Sequence, residues 1–158
     1  MLLKIALENL TDKIIFGDSI VSYGKYKKTN THDGIVNGID KFWLSHLPTH
    51  QSIFCPTSFV KNHPFDVNKV VSSDSELLIN AFNQLDYIYI NQIVCNFSLG
   101  GISSKPTKLK TTLNHCKEII ETRSINKKSH KLKLIARQVL KLYLIKLIGY
   151  ELYLRIMG

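Results

Sequence analysis

Apolar and polar positions along the chain change period several times. Residues Leu2, Leu3, Ala6, Leu7 and Leu10 recur at helical spacing from the first residue, with no capping lead-in. The stretch KIIFGDSIVSYGKYKK then predicts a strand through Ile14, Ile15 and Phe16, a turn near Gly17 and Asp18, and a second strand running to a turn at Gly24. Polar KKTNTHDGIVNGID predicts loop, and KFWLSHLPTHQSIFCPTSFVKNH mixes aromatic residues with two prolines and has no clear period. Leu77, Leu78, Ala81, Phe82 and Leu85 give one apolar face to a helix over Ser73–Leu85. The β-branched run YIYINQIVCNF predicts a strand, SLGGISS a glycine loop, and Leu109, Leu113, Cys116 and Ile120 a further helix from about Lys108. Alternating strand and helix signals point to an α/β domain.

The segment SHKLKLIARQVLKLYLIKLIGYELYLRIMG predicts one basic amphipathic helix. Lys133, Arg137, Lys141, Glu151 and Arg155 share one arc, and Leu132, Ala136, Val139, Tyr143, Leu147, Tyr150 and Leu154 share another. Charge sharpens this division. Residues 1–104 hold 8 Lys and Arg against 9 Asp and Glu, a net −1, whereas 105–158 hold 13 against 3, a net +10. Lys146 interrupts the apolar run, and no charge-free stretch approaches the ~20 residues that cross a bilayer. Such a helix packs against the domain or a partner, or lies on an anionic membrane surface. Nucleic acid is disfavoured, because Leu and Ile dilute the basic residues and no aromatic stacking platform accompanies them.

Cys55, Cys95 and Cys116 form no C-x-x-C pair and read as buried or free thiols of a reducing compartment. His46 and His50 stand at helical i, i+4 spacing, but Pro48 between them spoils a metal pair, so no metal site is expected from these residues. The first ten residues are too short and too polar for a signal peptide, which suggests the cytoplasm.

Local physics accounts for the acids in KVVSSDSELLINAF. Ser73 can cap the helix with Glu76 reaching back three residues, and Asp74 then sits in the first turn at the positive end of the helix dipole. A residue held this way can still point its carboxylate into a cleft.

Four features stand in one order: IIFGD at 14–18, HQSIF at 50–54, FDVNKVVSSDSELL at 65–78 and NFSLGGISS at 96–104. In that order and at those separations the chain resembles the second half of a family 2 glycosyltransferase of GT-A fold, of the bacterial surface-polysaccharide kind. The resemblance implies an incomplete GT-A α/β domain over residues 1–125, the acceptor-side half, followed by the basic amphipathic helix at 126–158. It implies that Asp74 is the catalytic base for an acceptor hydroxyl. Substrate contacts would come from His50 and Gln51, from Asp18 on the acceptor side, and from Gly100, Gly101 and Ser103 in a loop near the donor.

The implied reaction moves a sugar from a nucleotide-sugar donor to a polysaccharide or lipid-linked glycan acceptor. The family's divalent metal, Mg or Mn, is held by a D-x-D motif that this sequence lacks. The only acid-x-acid triplet, Asp74-Ser75-Glu76, stands at the wrong place in the order. The expectation is therefore a half-domain with little activity alone, associated with a partner chain, and placed in the cytoplasm or at the inner face of the membrane. A non-enzymatic peripheral membrane or scaffold protein is the rival reading.

Overall fold

Ile14 and Phe16 are two residues apart on an extended chain, so both project to one face, and Leu77, Leu78, Ala81 and Phe82 of the helix at Ser73–Gln84 cover that face. The computed structural model describes residues 12–32, 47–101 and 105–157. The predicted helix over residues 2–10 lies outside them. Strand β1 (Ile14–Tyr23) and strand β2 (Tyr26–Asn30) are joined at Gly24 and Lys25. A 3-10 turn (His50–Ser52), the short strand β3 (Ile53–Phe54) and helix α1 (Thr57–Asn62) follow. Helix α2 (Ser73–Gln84) leads to strand β4 (Tyr87–Ser98). Helices α3 (Leu109–Thr122), α4 (Lys128–Ile148) and α5 (Tyr150–Met157) complete the described chain.

The architecture is mixed α/β, as the alternating signals predicted. In its four-stranded sheet β1 pairs with β2, β3 and β4. The β1–β3 pairing is antiparallel, with Ile15 opposite Phe54 and Phe16 opposite Ile53. Ile14 donates its N–H to the carbonyl of Asp86 at 2.9 Å, where the turn after α2 delivers the chain to β4.

By compactness the chain divides into two units. Of the described residues the first holds 12–21, 29–32, 47–66 and 73–97; the second holds 22–28, 67–72, 98–101 and 105–157. In the first unit Ile14 and Phe16 pack with Phe59 of α1 and with Leu77, Leu78, Ala81 and Phe82 of α2. The Phe16 ring meets Phe82 edge-on at 5.6 Å and Tyr89 at 5.5 Å. Burying side chains of this size contributes about 1.5–3 kcal/mol each, and the edge-to-face geometry adds to it.

Two local expectations are corrected. No turn forms at Gly17 and Asp18: β1 runs straight through them. Glycine is needed there because a Cβ would stand 2.7 Å from the Gln92 carbonyl oxygen and 2.8 Å from Val94 Cγ1 of β4. Polar Lys27–Asn30 is strand, not loop. Gly24, at φ +55°, supplies the left-handed residue of a two-residue hairpin, and the strand that returns from it tolerates polar residues because it is mostly exposed.

The helix begins at Ser73, as expected, and the Ser73 hydroxyl donates to the Asp66 carbonyl at 2.7 Å, which ties the helix start to the preceding loop.

In the second unit α3 packs on α4 and α4 on α5. The expected single terminal helix is two, because Gly149 takes φ +81°, a conformation that ends α4. The apolar face is also corrected. Leu142 and Ile145 are the buried residues of α4, whereas Leu132, Tyr143 and Leu147 of the expected face are exposed. Tyr150 and Leu154 are buried as expected, packing with Ile145, Tyr23, Tyr26 and Leu99. Cys116 of α3 is buried as its stripe predicted, while Leu109 and Leu113 are exposed.

The segment 67–72 is fastened by an anion. The Glu118 carboxylate accepts the N–H groups of Val71 at 2.9 Å, Ser72 at 3.1 Å and Val70 at 3.4 Å, and the Ser72 hydroxyl at 3.2 Å. Partial burial pushes the Glu118 carboxyl up, but these donors outweigh it and hold the group below the ordinary carboxylate range. Among the described residues no helix is long and apolar enough to cross a membrane.

Candidate active site

Asp74 is the second residue of α2, and the first turn of a helix leaves N–H groups without intrahelical acceptors. Its Oδ1 accepts the Ser75 N–H at 2.7 Å. Its Oδ2 stands 3.0 Å from His50 Nδ1. Helix geometry therefore fixes one carboxylate oxygen and leaves the other for the imidazole.

His50 is positioned by the 3-10 turn that it opens. Thr49 just before it shares a hydroxyl hydrogen bond with Ser19 of β1 at 3.0 Å, and the Ser52 N–H and hydroxyl both donate to the Thr49 carbonyl at 2.7 Å. The Phe97 ring stands edge-on to the imidazole with centroids 6.3 Å apart. The His50 and Asp74 side chains remain 49% and 39% exposed, so the pair is held by the fold yet open to a ligand.

His50 Nε2 has no partner among the described residues. A carboxylate–imidazole pair of this kind can accept a proton from a hydroxyl brought to either group, and each partner orients the other.

The remaining expected residues fall elsewhere. Gln51 is exposed in the same turn as His50. Asp18 is only 4% exposed, and its Oδ1 accepts the His32 N–H and the Tyr89 hydroxyl, both at 2.9 Å. Its visible work is to join β1, β4 and the chain after β2. Gly100 and Gly101 belong to the other compact unit, where Gly100 takes φ +129° beside the Tyr23 ring. Ser103 lies outside the described residues.

Sequence reasoning missed Tyr89, the Ser19–Thr49 pair and Phe97. Tyr89 was within reach of pattern: the alternation in YIYINQ puts it on the same face as Tyr87, and a half-buried phenol hydroxyl wants an acceptor. The Ser19–Thr49 contact joins residues thirty apart and leaves no local signal.

Among the described residues no group of three His, Cys, Asp or Glu is placed to hold a metal ion. Asp74 and Glu76 cannot act as a D-x-D pair either, because residues i and i+2 point to different sides of a helix. The three cysteines are unpaired by disulfides, and burial pushes each thiol up, which leaves little nucleophilic thiolate at neutral pH. A separate cleft of about 140 Å³ in the second unit is lined by Val70, Val71, Pro106 and His115. Glu118 on its wall already spends its carboxylate on backbone.

Compared with protein-family models, curated proteins and solved structures, the chain matches none of them.

Proposed function

We propose that this chain is the acceptor-side part of a glycosyltransferase, related to family 2 enzymes of GT-A fold, and that Asp74 is its general base. The observation that carries the reading is the Asp74–His50 contact at 3.0 Å, half open to solvent, between two residues that the resemblance independently assigns to one site. In the reaction, Asp74 takes the proton of an acceptor hydroxyl as its oxygen bonds to the anomeric carbon of the donor. The bond from that carbon to the nucleoside diphosphate breaks, and the diphosphate leaves with the electron pair. His50 holds the carboxylate in place through Nδ1, and the Phe97 ring packs beside the imidazole.

A diphosphate donor needs its charge offset by a metal, basic groups or helix N-termini. The reading therefore requires a donor-binding part from a longer form of the chain or from a partner chain, and the 158-residue chain alone should transfer little or no sugar.

The test uses the protein as its own cells make it, with any partner that co-purifies. It is supplied with nucleotide sugars, Mg or Mn, and lipid-linked or polysaccharide acceptors. Nucleoside diphosphate release coupled to glycan extension, lost in Asp74→Asn with unfolding unchanged, is the expected result. Unaltered transfer by Asp74→Asn would remove the assignment. A non-enzymatic scaffold would show no release with any donor and would keep its partners when Asp74 and His50 are both replaced.

A further inference from the structure

Helix α4 buries one side and leaves a second apolar stripe outside, and the two are not the same residues. Leu142 and Ile145 face inward, at 1% and 7% exposure. Leu132, Leu140, Tyr143 and Leu147 are 58%, 60%, 56% and 81% exposed. At about 100° per residue, these four and Ala136 fall within an arc of about 80° along the whole helix.

Basic residues border that arc on both sides. Lys133 and Arg137 lie about 20–60° beyond one edge, and Lys128 and Lys146 lie about 40° beyond the other. Helix α4 carries no acidic residue, and none of these four cations has an ion pair among the described residues.

We infer that the outer face of α4 docks on an anionic lipid bilayer, with the helix lying in the plane of the interface. The stripe can enter the boundary between headgroups and acyl chains, and Lys133 and Arg137 on one flank and Lys128 and Lys146 on the other reach up to lipid phosphates while their methylene stems stay with the apolar surface. Tyr143 belongs at that boundary, with an apolar ring and a polar tip. A second copy of the chain is the poorer occupant, because two such faces would bring their basic borders together. Nothing in this inference depends on the Asp74–His50 assignment.

The test is flotation of the full chain with vesicles of phosphatidylcholine containing a minority of phosphatidylglycerol, beside vesicles of phosphatidylcholine alone. Binding should require the anionic lipid and weaken as salt rises. Leu140→Ser and Leu147→Ser should each weaken it at least about tenfold with unchanged thermal unfolding, since both side chains are already in water. Lys133→Gln with Arg137→Gln should also weaken it by about tenfold or more. Equal binding to both vesicle types, or full binding by the two Leu variants, overturns the inference. So does a lipid-free dimer in sedimentation that Leu140→Ser dissociates, since the face would then be a self-interface.

Discussion

The two compact units treat their apolar residues differently. In the first, the period-2 residues of β1 and the helical stripe of α2 meet, and Ile14, Phe16, Ala81 and Phe82 are all at or below 3% exposure. In the second, α4 buries Leu142 and Ile145 yet leaves Leu140 and Leu147 in water. A core that closes on itself explains stability. An apolar stripe that stays outside, bordered by cations, is the feature on which the membrane inference rests.

The first unit is where this difference can be broken most severely. Phe16→Ala, which empties the position shared by Phe82, Tyr87 and Tyr89, should destabilise the chain by about 3–5 kcal/mol in chemical denaturation. Gly17→Ala should cost about 1–3 kcal/mol, because the new Cβ meets backbone of β4 that cannot swing away. A neutral Gly17→Ala would mean that the two strands are less closely apposed than described.

Within the second unit the effects are smaller. Glu118→Gln should destabilise by about 1 kcal/mol at neutral pH, as it weakens the charge-assisted bonds to Val70, Val71 and Ser72. The folded-state pKa of Glu118 is depressed, so its contribution is fully present above the ordinary value of 4.5 and is lost as pH falls through the lower folded value. The gap between wild type and Glu118→Gln should accordingly close in acid, and a gap independent of pH would contradict the anion's role. Leu147→Ser marks the smallest effect, within about 0.5 kcal/mol. A loss as large as that of a core leucine would mean that the stripe is internal packing after all.

Legibility in the sequence followed the same division. Helix α2 was readable from its helical apolar stripe, strand β4 from its β-branched run and the start of α3 from a stripe beginning near Lys108, all of them local signals. Gly17 misled because a glycine beside an aspartate resembles a turn, while its actual cause is the closeness of β4, which no local window contains. Helix α4 misled in another way: it has apolar residues on two sides, so a single wheel drawn through Gly149 merged Leu132 and Leu147, which are outside, with Tyr150 and Leu154, which are inside. At the candidate site, Asp74 and His50 were both named from sequence. Their contact, and the Thr49–Ser19 hydroxyl pair beside it, depend on how the turn at 50–52 sits against α2 and β1.

The most direct test of the account is the rate of sugar transfer by the protein as its cells make it, wild type against Asp74→Asn. Removing a general base should lower that rate by about 10²–10⁴-fold, with the unfolding transition unmoved because Asp74 is partly exposed and can be replaced by a side chain of the same shape. Wild-type turnover in Asp74→Asn, or no release of nucleoside diphosphate from any donor by the wild type, would contradict the claim that the Asp74–His50 pair is the acceptor side of a glycosyltransferase.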